Sequence, residues 1–319
     1  MNTVAAEPGC DSHGYRHEAL FYSDPEAFLG GTLPFIRDAI AAEEPILVVL
    51  GREKTDSLRE ALNGEAEQVL FADMAEVGAN PARIIPEWQR FIADHASAGR
   101  RLRGIGEPIW AGRSAAELAE CQRHEALLNV AFADPHFWLL CPYDTAALEP
   151  GVIEEARRNH PYVSDNGIAE ASSAFPGAEE LAAPLHQPLP PPPEDAVMHP
   201  IEGAATLREL RTFVVRSAVA VGLSGLRTSD LVFAANELAA NTVKHGGGRG
   251  ELYLWREADA VVCEVRDRGR IEDPLVGRVR PAPYGLHGRG LWMANQLCDL
   301  VQIRSFAEGA VVRLHKRLD

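Results

Sequence analysis

Apolar strand-like runs and helical stretches succeed one another in a different order in the two parts of the chain, and a segment without apolar periodicity separates these parts. In the first part short apolar runs alternate with helical stretches. The predicted strands are 19–22, 46–50, 69–72, 102–109 and 137–141, and the predicted helices are 25–42, 54–62, 81–98, 114–131 and 149–159. The strand at 46–50 is apolar at every position, as expected where both faces are covered. This alternation predicts an α/β domain over residues 15–163 with a mainly parallel sheet.

The apolar periodicity stops between residues 164 and 199. This range contains Pro188 and an unbroken proline run at 190–193, followed by Glu194 and Asp195. Proline runs favour the extended polyproline II conformation and act as semi-rigid spacers. We therefore predict a linker over residues 164–199.

Beyond the linker, two helices precede the strands. The first predicted helix, 204–221, keeps its apolar residues on one face at helical spacing. The elements predicted after it are a helix at 228–245, strands at 251–256 and 260–267, a helix at 290–298, and strands at 300–306 and 310–316. This order predicts a two-layer α+β domain over residues 200–319 with antiparallel strands.

Charge is distributed unevenly between the two parts. The 319 residues carry a formal net charge of −15, to which residues 1–196 contribute −18 and residues 197–319 contribute +3. A chain this acidic is not expected to bind nucleic acid directly or to bind an anionic membrane. The sequence has no run of 18 apolar residues, and its start lacks the basic-then-apolar build of a signal peptide. We therefore expect a cytoplasmic protein.

The five cysteines, at positions 10, 121, 141, 263 and 298, are scattered along the chain. They do not have the sequence spacing of a disulfide framework or of a zinc site, so we predict that they are reduced core residues. A redox-sensing role for Cys121 and Cys141 is the alternative.

The second helix of the α+β part carries a polar face. Glu237, Asn241 and His245 are four residues apart, so each is rotated by only about 40° from the one before. They lie beside the apolar face of the helix, which predicts partial desolvation. An ordinary solvated helix face can show the same pattern, so the spacing alone does not define a site.

Two glycine-containing segments follow this helix. Asp267 ends an apolar strand row and Gly269 follows two residues later, which suits a pocket for a flat polar ring, although a plain strand-end turn would look the same. Later, Gly288, Arg289 and Gly290 open a helix, where exposed N–H groups and a cation favour a phosphate. A single glycine-rich turn is common, and only the combination of features is specific.

In this order the three features resemble the GHKL ATPase superfamily, or Bergerat fold, over residues 200–319, and they are most similar to the RsbW-type anti-sigma factor kinases. The resemblance implies ATP and Mg²⁺ as cofactors. It implies that Glu237 is the general base for the attacking hydroxyl and that Asn241 holds the Mg²⁺ ion. Asp267 would accept the adenine amine, with Gly269 beneath the adenine ring. The resemblance also implies that the ATP phosphates are bound by His245, Gly288, Arg289 and Gly290. Residues 270–287 would form a lid over the nucleotide.

The sequence departs from the pattern of that superfamily at two positions. Ile271 stands where a second glycine is often found, and Ala310 stands where a threonine hydroxyl usually lies near the adenine. Sensor histidine kinases also keep a phosphoacceptor histidine in a helix before this domain, whereas the helix at 206–221 contains none. A histidine-kinase mechanism within the chain is therefore not expected.

The first part resembles the MEDS sensory domains that are fused to such kinases in RsbA-type regulators. The segments that carry this resemblance are HEALFY at 17–22, GEP at 106–108 with Trp110, HEALLN at 124–129 and CPYD at 141–144. A P-loop is not expected after the second strand, because Glu53 stands where a glycine must precede Lys54.

Ligands of parallel sheets bind beyond the carboxyl ends of the strands. We therefore predict that a small-molecule signal binds in a sensory pocket of the first part. The residues predicted for it are His17, Tyr22, Glu107, Tyr143 and Asp144. Helix capping and packing are the alternative roles of these side chains.

The two resemblances together imply an ATP-binding anti-sigma factor and serine/threonine protein kinase under sensory control. Its implied partners are a sigma factor and an anti-anti-sigma factor of the STAS type. Two alternatives stay open: a sequestering module with little kinase activity, and a sensor histidine kinase that acts on a separate partner. The sequence leaves open the signal and whether the chain forms a homodimer.

Overall fold

The computed structural model describes residues 14–96, 100–132, 136–165, 168–181, 187–281 and 288–318, which form two compact units. The first unit contains the chain up to Asp73 together with Arg90–Ala111 and Leu128–Pro176. The second unit contains Met74–Gln89, Gly112–Leu127 and Gly177–Asp319. Segments from the first half of the chain thus belong to both units. None of the described helices is both long and apolar enough to cross a membrane.

A seven-stranded sheet organises the first unit. Its strands are β1 (Arg16–Tyr22), β2 (Ile46–Leu50), β3 (Leu70–Asp73), β4 (Leu102–Gly106), β5 (Phe137–Asp144), β6 (Tyr162–Asp165) and β7 (Ile168–Ala171). Their order is β3-β2-β4-β5-β1-β6-β7, and every neighbouring pair is parallel except β6 and β7. All five residues of β2 are buried. The prediction of an α/β domain with a mainly parallel sheet is confirmed.

Six helices of the described residues precede or follow these strands. They are α1 (Pro25–Ala41), α2 (Arg52–Leu62), α3 (Met74–Val77), α4 (Ile84–His95), α5 (Ala115–Ala131) and α6 (Pro150–Asn159). α1 begins where Oδ1 of Asp24 accepts the N–H of Ala27. α5 begins with a capping box, because Ser114 Oγ accepts the N–H of Glu117 and Oε2 of Glu117 accepts the N–H of Ser114.

A five-stranded antiparallel sheet organises the second unit. Its strands are β8 (Val197–Glu202), β9 (Arg249–Glu257), β10 (Ala260–Asp267), β11 (Leu300–Phe306) and β12 (Gly309–Arg317), in the order β11-β12-β10-β9-β8. The later helices are α7 (Ala178–Leu181), α8 (Leu207–Ala220), α9 (Gly225–His245) and α10 (Arg289–Leu297). Val261, Cys263 and Val265 of β10 pack with Leu231 and Leu238 of α9 in one core. The two-layer α+β prediction is confirmed.

Strands also occur in the range that the sequence predicts as a linker. β7 pairs with β6, and β8 pairs with β9 and contains Pro200. Each of them is the last strand of its sheet and pairs through backbone groups on one side, so a polar sequence can form it without an apolar run. The proline-rich segment is also held in place, because Arg304 Nε donates to the carbonyl of Gln187 at 2.9 Å and the Arg313 guanidinium donates to that of Pro190.

Candidate functional site

α9 places two half-buried polar side chains beside its core face. The helix buries Leu238 and Thr242, and the neighbouring Glu237 and Asn241 are half-buried, whereas His245 in the last turn is exposed. The four-residue spacing puts the carboxylate and the amide one turn apart on the same face.

Asp267 ends β10, and two donors fix its carboxylate. Oδ1 accepts the N–H of Gly269 at 2.8 Å, and Oδ2 accepts the hydroxyl of Thr242 at 2.6 Å. A Cβ on Gly246 would lie 2.5 Å from this carboxylate, so the glycine that ends α9 permits the close approach of helix and strand. Thr242 was not predicted as a site residue; the signal that points to it is a hydroxyl on the buried stripe of the helix.

The start of α10 lies against the polar residues of α9. A Cβ on Gly290 would lie 3.1 Å from Oε2 of Glu237 and 3.3 Å from Nδ2 of Asn241. Gly288 precedes the helix with φ of +83°, in the left-handed region that favours glycine. Among the described residues no side chain caps α10, so its first turn keeps backbone donors of the kind that bind anions.

These elements enclose a cleft of about 600 Å³, a volume typical of small-molecule sites. All eight residues predicted for the nucleotide line it: Glu237, Asn241, His245, Asp267, Gly269, Gly288, Arg289 and Gly290. A helix start that favours anions lies beside Glu237 and Asn241, and a fixed carboxylate acceptor lies at Asp267. The cleft therefore suits a ligand that has an anionic group and a ring with an amine.

Ile271 and Ala310, the two departures from the superfamily pattern, also line the cleft. Ile271 packs against the apolar core, and its N–H donates to Ser305 Oγ at 2.9 Å. Ala310 is the residue of β12 that pairs with Asp267 of β10. Its methyl group therefore lies beside the carboxylate and offers no hydroxyl to a ligand there.

The described part of the predicted lid is anchored rather than free. Asn295 of α10 donates from Nδ2 to the carbonyl of Gly277 at 2.8 Å. Arg278 is 3% exposed and donates to Oε2 of Glu120 at 2.8 Å, so it is not one of the cations that line the cleft. Burial lowers the pKa of the Arg278 guanidinium, and the charge of Glu120 partly offsets this. Residues 282–287 of the predicted lid lie outside the described residues.

Glu120 of α5 joins two arginines within the second unit. It is fully buried, and its Oε1 accepts from Nη1 of Arg304 of β11 at 2.8 Å while Oε2 accepts from Arg278. Arg123, one turn further along α5, donates to the carbonyl of Ile303 at 2.8 Å. Burial lowers the pKa of Arg123 to about 9. Neither α5 residue was predicted as functional, because their partners lie more than 150 positions away in the sequence.

A second early segment binds the end of α10. Arg83 donates to the carbonyls of Asn295, Gln296 and Cys298 at 2.8–2.9 Å, and Nδ2 of Asn80 donates to the carbonyl of Asn295 at 3.1 Å. These carbonyls belong to the last turn of the helix and the residue after it, where a cation is favourable. Glycines therefore shape the start of α10, and Arg83 satisfies the carbonyl groups at its end.

Three of the five residues predicted for a sensory pocket, Tyr22, Glu107 and Asp144, lie close together in the first unit, whereas His17 and Tyr143 lie on the other face of the sheet. His17 and Tyr22 belong to β1 and point to opposite faces of the sheet, because they are an odd number of residues apart. Tyr22 donates to Oε1 of Glu107 at 2.8 Å, and Lys54 donates to both side chains. Burial raises the pKa values of Glu107 and Tyr22, and Lys54 partly offsets the effect on Glu107. Lys54 was missed because it was considered only as part of a P-loop.

Tyr143 and Asp144 of β5 complete the predicted set, and Asp144 pairs with Tyr22 of β1. Tyr143 packs edge-on against His160, with ring centroids 5.5 Å apart, on the face of the sheet that carries His17. Asp144 accepts the N–H groups of Ala146 and Ala147 at 3.0 and 3.1 Å, which is a capping contact at the end of β5. Cys121 and Cys141 are buried, and burial raises the pKa of Cys121 to about 12.

Comparison with known proteins identifies two families along the chain. Residues 16–161 match the family model described as MEDS, the MEthanogen/methylotroph, DcmR Sensory domain, and residues 202–316 match that of the histidine kinase-like ATPase domain. No curated protein matches the chain. Among solved structures, it is similar to the RsbU and RsbW domains of Rv1364c from Mycobacterium tuberculosis, with 22% identity and a TM-score of 0.31. That match covers 40% of this chain and only 33% of the other.

The antiparallel sheet, its two long helices and the cleft beside α10 are those of a histidine kinase-like ATPase domain, a class of domain that binds ATP. Residues 16–161 therefore form a MEDS sensory domain, and residues 202–316 form such an ATPase domain. Both family resemblances predicted from the sequence are confirmed.

Replacing Ala310 by threonine is expected to tighten ATP binding. The new hydroxyl would lie beside Asp267, and one hydrogen bond contributes about 0.5–1.5 kcal/mol, or about a 2- to 10-fold lower Kd. Isothermal titration calorimetry with the wild type and Ala310→Thr measures the change. Ala310→Val is the matched control, because it adds the same branched shape without the hydroxyl. Equal affinities of the threonine and valine variants would contradict a role for this hydroxyl.

Proposed function

We propose that the chain is an ATP- and Mg²⁺-dependent serine/threonine protein kinase that acts as an anti-sigma factor, and that its MEDS domain controls this activity. The kinase would phosphorylate an anti-anti-sigma partner of the STAS type and so decide whether a sigma factor is held or released. The observation that carries the proposal is the close approach of Gly290 to Glu237 and Asn241. It brings a carboxylate and an amide against a helix start that favours phosphate.

Glu237 would act as the general base in this reaction. The serine or threonine oxygen of the partner forms a bond to the γ-phosphorus while the bond from that phosphorus to the ADP oxygen breaks. The hydroxyl proton moves to a carboxylate oxygen of Glu237. Such transfers depend mainly on positioning and electrostatic stabilisation, to which Arg289 and the first turn of α10 would contribute.

Asn241 is the residue of the cleft that fits Mg²⁺. Its amide oxygen is a hard ligand, and Mg²⁺ is usually held by one or two protein oxygens together with substrate phosphates and water. The missing side chain at Gly290 leaves space beside the amide for such phosphates. When bound, the ion would neutralise charge on the phosphates.

Two contacts within the second unit support control by the MEDS range. Arg83 binds the end of α10, whose start would bind the phosphates, and Glu120 binds Arg278 of the lid. Both Arg83 and Glu120 lie within the residues that match the MEDS family. A displacement of either segment would therefore alter the helix or the lid that borders the cleft.

A groove of about 520 Å³ on α8 and α9 supports binding of a protein partner. Val215, Val219 and Phe233 line it and are 42%, 56% and 45% exposed. Exposed apolar patches of this kind often mark protein interfaces. The same groove would serve the second candidate function, a sequestering module with little kinase activity, which is favoured by the absence of a hydroxyl at Ala310.

Val219→Glu is expected to weaken partner binding without changing ATP binding. A charge at the centre of an apolar interface costs about 1–3 kcal/mol, which corresponds to about a 5- to 150-fold higher Kd. Retention of co-purifying partners by the full-length chain measures this effect. Ile168→Glu is the control, because Ile168 is an apolar residue of β7 that is 73% exposed and outside the groove. Equal losses in both variants would contradict the assignment of the groove.

A labelling experiment tests the proposed function itself. The full-length chain is incubated with γ-labelled ATP, Mg²⁺ and the STAS-type proteins that co-purify with it. Acid-stable label on such a protein supports the proposal, because phosphoserine and phosphothreonine survive acid. Acid-labile label would indicate a histidine kinase, and partner binding without label would indicate the sequestering module.

A further inference from the structure

The first unit brings together a thiol and two imidazoles that are far apart in the sequence. His17 belongs to β1, Cys141 belongs to β5, and His160 directly follows α6. All three side chains are buried, with at most 1% exposed. One nitrogen of each histidine and the sulfur of Cys141 lie within 4.8 Å of one another. The sequence spacing gave no sign of this cluster. Cys141 is a buried core cysteine, as predicted, and its sulfur lies beside an imidazole.

Hydrogen bonds around the cluster fix which nitrogen of each ring carries a lone pair. Nδ1 of His160 lies 2.7 Å from the carbonyl oxygen of Ala156, which can only accept, so Nδ1 bears the proton. Nδ1 of His17 lies 3.1 Å from Oδ1 of Asn129. Asn129 is oriented in turn, because its Nδ2 donates to the carbonyl of Asn159 at 2.8 Å. In the neutral form of each ring, the lone pair therefore lies on Nε2.

This pattern is typical of metal-binding histidines, which donate their second ring N–H to a carbonyl or carboxyl oxygen. Nε2 of His17 lies 3.4 Å from Sγ of Cys141. A tetrahedral zinc ion with Zn–S of about 2.3 Å and Zn–N of about 2.0–2.1 Å separates two such ligand atoms by about 3.5 Å. The rings of His17 and His160 are also adjacent, with centroids 3.9 Å apart.

We propose that His17, Cys141 and His160 bind a transition-metal ion of the Zn²⁺ class. A thiolate and two neutral imidazoles select such an ion over Mg²⁺, which prefers oxygen ligands. Binding forms the metal–sulfur bond as the Cys141 proton leaves to solvent, with no change of oxidation state. The site is separate from the ATP cleft, and it does not depend on the proposed kinase function.

Cobalt titration of the full-length protein tests this site, because Co²⁺ bound by a thiolate has a charge-transfer absorption band. The chain is stripped with a chelator, kept reduced and titrated with Co²⁺ and then with Zn²⁺. We expect one Co²⁺ per chain with the thiolate band, and loss of the band after one equivalent of Zn²⁺. Absence of the band in the folded wild type would overturn the proposal, whatever the variants do.

Variants assign the ligands. Cys141→Ser is expected to lose the thiolate band, whereas Cys263→Ser, at an equally buried thiol of β10, is expected to keep it. Asn129→Ala leaves all three ligands in place and is expected to weaken Co²⁺ binding by about 10- to 100-fold, as for other residues that orient a ligand. Circular dichroism checks that each variant is folded. A band that persists in folded Cys141→Ser would overturn the assignment.

Discussion

Glu237→Gln is expected to lower the rate of phosphate transfer to a protein partner by about 10²- to 10⁴-fold, the usual contribution of a general base. The amide has the size of the carboxylate but cannot accept the hydroxyl proton. ATP affinity is expected to stay within a few-fold of the wild type, because Asp267 and the start of α10 are unchanged. Single-turnover transfer assays and calorimetry measure the two quantities separately.

Glu251→Gln provides the control for this variant. Glu251 is an exposed residue of β9, so its replacement removes one negative charge from the same unit outside the cleft. Transfer by Glu251→Gln should equal that of the wild type. If Glu237→Gln transferred phosphate at the wild-type rate, Glu237 would not be the base; if it lost ATP binding as well, the defect would be in the pocket rather than in proton transfer.

Glu120→Gln is expected to lower the free energy of unfolding by about 3–5 kcal/mol, as when one member of a buried ion network is removed. Arg278 and Arg304 would then be left in a buried place without their shared carboxylate. Chemical denaturation of the full-length chain, followed by circular dichroism, measures the change. We also expect weaker ATP binding, because Arg278 belongs to the lid.

Glu117→Gln is the matched control on the same helix. Glu117 is 9% exposed, but the side chain of its partner Arg317 is 51% exposed, so solvent screens this pair and we expect a smaller loss of stability than for Glu120. Glutamine at this position also keeps the capping box of α5. Equal stability losses in the two variants would show that the network of Glu120 is no more important than this solvent-screened ion pair.

The cleft could be predicted from the sequence because its determinants are local. Glu237 and Asn241 are one helical turn apart, Asp267 directly ends an apolar strand, and Gly290 lies at a helix start. Each of these positions follows from the helical spacing or from the end of a helix or strand, and both can be read from the sequence. The order of the three features then resembles one superfamily, and the domain that contains them is confirmed.

The metal cluster and the Glu120 network could not be predicted, because their members meet only through the folded topology. His17 and Cys141 are 124 positions apart in the sequence. They come together because β1 and β5 are neighbours in the sheet. A single buried acid on α5 has no sequence signature either. β8 was not predicted for a different reason, because this edge strand contains a proline and shows no apolar alternation.

α5 has a consequence for how such proteins can be assembled by gene fusion. The residues that match the MEDS family end at 161, yet Glu120 is the counter-charge of two arginines in the ATPase range. A gene cut at the proline-rich segment would separate the acid from both bases. We therefore expect an exchange of sensory domains between relatives to succeed only where the incoming domain supplies an acid at the position of Glu120. The ion network thus crosses the boundary between the two family matches along the sequence.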